Sequence, residues 1–179
     1  MSRDRTTARG VYYDRNDYAG VARRLLIDLI DVPVALALCV LVVGVAWTLM
    51  PEVEDSPGVL LLPCGAIWFY YFVLLKRSRF RTLGYIAAGA RIVNLEGGRP
   101  SVLSLLGRLF FAFLGPVNVL VDLFWLTGDA HRQALRDKFA GTYVVRQQAT
   151  PAGTGVIVIR TYMLWGMTFL FREVGGGAP

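Results

Sequence analysis

The sequence predicts an all-α membrane protein: a two-helix transmembrane hairpin, an interfacial helix, and a kinked or re-entrant third apolar region. The chain has 179 residues, 55% of them hydrophobic, and its mean hydropathy of +0.48 is too high for an ordinary soluble domain. Residues 25–50 and 58–75 form two apolar segments. Each is close to the roughly 20 residues that a helix needs to cross a bilayer.

The charges around these two segments predict their orientation. The leader, residues 1–20, is rich in arginine and lacks the apolar core of a signal peptide, and "KRSRFR" follows the second segment. The connection between the segments, "PEVEDSPG", carries three acids and no Lys or Arg. By the positive-inside rule, we expect a multi-pass protein with a cytoplasmic N-terminus.

The net charge of +6 comes from basic residues beside apolar runs. This placement favours anionic lipid headgroups over nucleic acid as partners. The predicted headgroup contacts are Lys76, Arg77, Arg79 and Arg81.

The chain after the hairpin is less regular. Residues 82–100 predict a short interfacial helix, an extended piece and a turn at Gly97 and Gly98. The apolar region 101–126 is interrupted by "GPVN", which leaves halves of about 14 and 10 residues that are too short to span alone. A bent or re-entrant pair returns the chain to the cytoplasm, and one proline-kinked crossing is the alternative. The apolar segment 155–171 predicts a strand pair or an interfacial element.

Three charges open the first segment and fall on one helix face. Arg24, Asp28 and Asp31 are spaced four and three residues apart. Their local net charge of minus one would attract a cation or another arginine. Alternatively, Asp31 caps a helix that begins at Val32, with Pro33 in its first turn.

Charges in the later segments are candidate partners for this face. We expect Arg108 to pair with Asp31 or Asp28, and Arg24 with Asp137. Asp122, within "VNVLVDLFW", is a further candidate partner. The single histidine and the two cysteines are not expected to have a functional role. We expect His131 to be solvated, and Cys39 and Cys64 to be packing residues.

Motifs for catalysis or for a cofactor are absent from the sequence. It contains no HExxH, no phosphate loop and no nucleophile elbow, and one histidine excludes sites that need several. We therefore expect no enzyme activity, no metal and no cofactor.

The order of these motifs resembles the RDD family of prokaryotic membrane proteins, named for one arginine and two aspartates. "YAGVARRLLIDLID" resembles the family's opening, with the arginine at Arg23 or Arg24 and the first aspartate at Asp31. "RTLGYIAAGARIVNLEGGRPSVLSLLGR" resembles the central T-x-G-K segment and a later arginine at Arg108, with Tyr85 in place of the lysine. "HRQALRDKFAGTYVV" resembles the closing motif and puts the second aspartate at Asp137.

The resemblance implies a protein of the prokaryotic cytoplasmic membrane, with an RDD-type domain over residues 21–146 and a separate tail over 147–179. It also implies transport or binding of a small solute or cation, including sodium/proton exchange. Asp28, Asp31 and Asp137 are the candidate ion ligands. With so few crossings, a transporter would need a homo-oligomer or a membrane-protein partner. The alternative is a structural or accessory subunit in which the same charges form fixed pairs.

Overall fold

The computed structural model describes residues 9–50, 57–113, 116–129, 131–164 and 166–175. Residues 1–8 of the leader and most of the acidic connection lie outside these ranges. So do Leu114 and Gly115, the second of which begins the "GPVN" interruption of the third apolar region.

Two long apolar helices dominate the structure. Helix α1 spans Val21–Leu49 without interruption. The second begins with a 3₁₀ turn, Pro57–Leu60, continues as α2, Leu61–Phe69, and ends in a π-helical segment, Tyr70–Leu75. Only 11% of the most apolar window of the first and 17% of that of the second is buried in the protein. Their apolar side chains therefore face outward, unlike those of core helices in soluble proteins.

Asp31 does not begin a helix, so the capping alternative is wrong. It lies in the interior of α1, and Pro33 is also accommodated inside that helix.

Four shorter helices follow. They are α3, Leu83–Ala87; α4, Val102–Phe113; α5, Pro116–Gly128; and α6, Leu135–Ala140. Helices α4 and α5 contact each other and both contact α6. The third apolar region thus consists of two helices of 12 and 13 residues, each shorter than a membrane span.

The prediction of an all-α fold is wrong, because the described residues contain five strands in two antiparallel sheets. One sheet has the order β1-β4-β5 and the other pairs β2 with β3. The strands are β1, Arg9–Tyr12; β2, Ala90–Asn94; β3, Thr142–Arg146; β4, Gly153–Leu164; and β5, Met167–Gly175. Their β-branched and aromatic residues raise the hydropathy as helical leucines would, while favouring a pleated surface.

The sheets join the two ends of the chain. Strand β1 from the leader pairs with β4 from the tail, and β4 pairs with β5, so the predicted strand pair is confirmed. Tyr13, Tyr18, Tyr143 and Val174 form part of a buried cluster between the sheets. A second cluster, which includes Ile27, Val73 and Leu105, packs the helices against the β2–β3 pair.

Candidate functional site

Asp31 fastens α1 to the start of α3. Its Oδ2 accepts a hydrogen bond of 2.6 Å from Thr82 Oγ1. Its Oδ1 accepts one of 2.8 Å from the backbone N–H of Gly84 and one of 3.1 Å from the Tyr71 hydroxyl. The carboxylate is fully buried, and it satisfies donors in the first turn of α3 that have no partner within that helix.

Gly84 allows this contact because it has no side chain. A Cβ on this residue would lie 2.5 Å from the carbonyl oxygen of Ile27 and 2.7 Å from Asp31 Oδ1. The T-x-G part of the central motif therefore has a structural explanation. Threonine supplies a donor, and glycine permits the backbone of α3 to approach α1.

Asp137 receives both arginines of the predicted motif. Arg24 Nη1 lies 2.5 Å from Asp137 Oδ2, and Arg108 Nη1 bonds to Oδ1. The backbone N–H of Ala134 also donates to Oδ2, at 3.1 Å. The predicted Arg24–Asp137 pair is confirmed, whereas Arg108 contacts Asp137 and not Asp31 or Asp28.

Further hydrogen bonds to the protein hold these two arginines. Arg24 donates to the carbonyl oxygens of Ala19 at 3.0 Å and Arg132 at 2.9 Å. Arg108 Nη1 also donates to Thr142 Oγ1, at 2.9 Å. Arg23 lies outside this arrangement and donates to Ala88 O at 3.3 Å.

Arg136 bridges two further carboxylates. Its Nη2 lies 2.9 Å from Asp28 Oδ2 and its Nε lies 3.1 Å from Asp122 Oδ2. Burial favours the neutral form of Arg136, but Asp28 and Asp122 outweigh it and raise the pKa of the guanidinium above its usual value. Arg136 thus stays charged and connects α6 to α1 and α5.

Lys76, the residue after the second apolar helix, faces inward. Its Nζ lies 3.8 Å from Asp31 Oδ2, and 4.5 Å and 5.2 Å from the ring centres of Phe72 and Tyr85. Burial lowers the pKa of Lys76 to about 8, although Asp31 and Asp28 oppose the shift.

Lys76 also borders a small cavity of about 40 Å³ between the helices. A water molecule needs about 10 to 15 Å³ of such space. The cavity therefore has room for an ion with one or two waters. Its lining is formed by Asp28, Trp68, Phe72, Lys76, Leu105, Arg108, Leu109 and Arg136.

Eight charged side chains at and near this cavity balance, and we call them the charge network; five are buried, while Asp28, Lys76 and Arg136 are partly exposed. The network has four basic members and four acidic ones. They are Arg24, Lys76, Arg108 and Arg136, with Asp28, Asp31, Asp122 and Asp137.

A second buried cluster was not predicted. Lys138 Nζ lies 2.5 Å from Asp129 Oδ2 and also bonds to Glu173 Oε1 on β5. Both carboxylates raise the pKa of Lys138 against the effect of burial. The alternating "TFLFREV" of β5 was the only sequence signal that Glu173 points inward.

The prediction of a solvated His131 is wrong. Only 8% of this residue is exposed, and its ring lies edge-on to Tyr18 with 5.7 Å between ring centres. Burial lowers the pKa of His131, which favours the neutral imidazole. Among the described residues, no group of His, Cys, Asp and Glu has a metal-binding arrangement.

Comparison with known proteins gives a family. The sequence profile of the RDD family matches residues 18–141, more than half of the chain. The chain belongs to the RDD family. No curated protein and no solved structure matches it. Family membership and the two apolar helices together indicate a membrane protein.

One position of the central motif, residue 85, departs from the expected pattern. Tyr85 stands where the resemblance described above places the lysine of the central motif. The ammonium group of Lys76, at the end of the second apolar helix, nevertheless lies beside the Tyr85 ring. Position 76 was expected only to contact headgroups, as part of a basic run.

Proposed function

We propose that this RDD protein binds a small monovalent cation at the charge network and exchanges it for a proton held by Lys76. Lys76 carries the proposal. Among the eight network members, its charged head alone has no hydrogen bond to a described residue, the Asp31 oxygen being 3.8 Å away. Its proton can therefore leave without breaking a direct bond to a carboxylate.

Charge balance sets the stoichiometry. With all members ionised, the network holds four positive and four negative charges. An added cation would leave one uncompensated positive charge in a buried space, which is costly. Loss of the Lys76 proton removes that charge, so one proton leaves for each monovalent cation that enters.

Asp28 is the most available ligand. Arg136 occupies its Oδ2, and no described residue donates a hydrogen bond to its Oδ1, while the side chain borders the 40 Å³ cavity. Asp31 and Asp137 differ from it, because both oxygens of each accept donors from the protein. The cavity size favours a cation over a larger solute. Two spanning helices give little wall for a pathway, so transport would take place in a homo-oligomer.

The direct test is sodium-gradient-driven proton flux in proteoliposomes that contain the parent or Lys76→Arg. Arginine keeps the positive charge but does not release its proton near neutral pH. We expect Lys76→Arg to reduce the flux to that of protein-free liposomes. Lys138→Arg is the matched control, since it makes the same change at a lysine outside the network and should keep the parent rate.

Asp28→Asn tests the ligand. We expect it to fold, since Asp28 is partly exposed, and to lose sodium-dependent flux.

Flux in Lys76→Arg equal to that of the parent, with both proteins folded, would overturn the proposal.

The pH dependence follows from the lysine. Below a pH of about 8, Lys76 must lose its proton before the cation binds. As the pH rises toward 8, the apparent Kd for sodium should therefore fall about tenfold per pH unit, and above pH 8 it should stay constant. In Lys76→Gln no proton is exchanged, and the Kd should not change between pH 6 and 9. Sodium titrations of the purified parent and of Lys76→Gln across this pH range measure how the Kd of each depends on pH. An equal pH dependence in the two proteins would contradict the assignment of Lys76.

A structural or accessory role is the second candidate. The observation that favours it is the full occupation of Asp31 and Asp137 by protein donors, as in a fixed ion-pair scaffold. On this account, parent liposomes show no flux at any pH, while loss of either carboxylate still unfolds the protein.

A further inference from the structure

A second, larger cavity opens where the second apolar helix ends. Its volume is about 440 Å³, and it lies between the basic run 76–81, strand β2 and the turn at residues 97–100. None of the described residues that line it is Asp or Glu. Six are basic: Lys76, Arg77, Arg79, Arg81, Arg91 and Arg99.

Backbone carbonyls hold three of these arginines in place. Arg77 Nε donates to Pro100 O at 3.1 Å, Arg81 Nη1 to Ala90 O at 3.0 Å, and Arg91 Nη2 to Ala149 O at 2.7 Å. Each contact fixes a guanidinium but leaves its charge unneutralised. No described carboxylate forms an ion pair with any of the three.

Arg91 gives the most specific signal. Its Nε is buried and has no hydrogen-bond partner among the described residues. A buried donor without a partner is costly. Arg91 also lines the cavity, so a shift of its side chain toward a ligand there gives this N–H an acceptor.

We propose that this basic cavity binds a phosphate-bearing anion. Arginine presents planar pairs of N–H donors that match phosphate oxygens, and several arginines without carboxylate partners favour a multiply charged group. The volume lies in the range of small-molecule sites and exceeds that of a bare ion.

The position of the cavity favours a lipid headgroup as the source of the phosphate. The basic run begins directly after residue 75, where the second apolar span ends. Arginines at this depth meet the headgroup layer, and basic pockets beside spanning helices suit phosphorylated headgroups. A soluble phosphate ester carries the same chemistry and is distinguished by experiment.

The test measures the binding of phosphatidic acid and of inorganic phosphate to the full chain in phosphatidylcholine nanodiscs. Thermal unfolding is followed as each probe is titrated. Arg99→Gln changes an exposed side chain of the cavity and is expected to fold, and Arg91→Gln removes the buried unpartnered donor. Arg15→Gln, an exposed arginine far from the cavity in sequence, is the matched control.

We expect phosphatidic acid to raise the unfolding midpoint of the parent. Its apparent affinity should fall about tenfold or more in Arg99→Gln and Arg91→Gln, and stay unchanged in Arg15→Gln. A midpoint that rises with inorganic phosphate, and not with the lipid, supports the site with a soluble ligand. No response to either probe overturns the proposal, as does an equal loss of affinity in Arg99→Gln and Arg15→Gln.

Discussion

Asp137→Asn is expected to destabilise the protein by about 3 to 5 kcal/mol, because a neutral amide would leave two buried arginines without their counter-charge. Arg24 and Arg108 both contact the Asp137 carboxylate, which is fully buried. The measurement is the free energy of unfolding in detergent, from denaturant or SDS titrations with a spectroscopic readout.

The control is Asp14→Asn, which makes the same chemical change at an exposed carboxylate and should stay within about 0.5 kcal/mol of the parent. Asp137→Asn combined with Arg108→Met should recover part of the loss, since one of the unpaired charges is removed. If Asp137→Asn unfolds like Asp14→Asn, the carboxylate does not organise the fold.

Gly84→Ala is expected to cost about 3 kcal/mol or more, from steric overlap and weakened hydrogen bonds to a charged group. The new Cβ would lie 2.5 Å from the backbone oxygen of Ile27, which cannot rotate away as a side chain can. Helix α3 would have to move from α1, and the bonds from Thr82 and Gly84 to Asp31 would lengthen. The same unfolding titrations measure this loss.

Gly107→Ala is the matched control. Gly107 lies on α4, and a Cβ added there would have no atom within 4 Å. Alanine is a better helix former than glycine by about 1 kcal/mol. The two substitutions should therefore have opposite signs. A stabilising effect of Gly84→Ala would show that α3 does not depend on a close approach to α1.

The helical charge pattern was readable from sequence because helix geometry is local. Spacings of four and three residues placed Arg24, Asp28 and Asp31 on one face, and the structure puts all three against neighbouring elements. The partner of Arg108 was predicted wrongly, because Asp31 and Asp28 were taken as its candidates and Asp137 was assigned to Arg24 alone. Only the packing of α4 against α6 selects Asp137.

The β4–β5 pair was one of two alternatives for residues 155–171, but the two sheets and the other strands were not predicted, for a different reason. Hydropathy sums do not separate β-branched from leucine-rich segments, and β1 is too short to be recognised without its partner β4. Lys76 was missed because it was grouped with the basic run that follows it. The segment before it, "YYFVLL", has no polar face, so helical spacing did not indicate which way Lys76 points.

The most direct test of the proposed exchange is proton release when sodium is added to the purified protein in weak buffer near pH 7. The Lys76 ammonium is mostly protonated there, so saturating sodium should release about one proton per chain from the parent and none from Lys76→Arg. No release from the parent, or equal release from both proteins, would contradict the account.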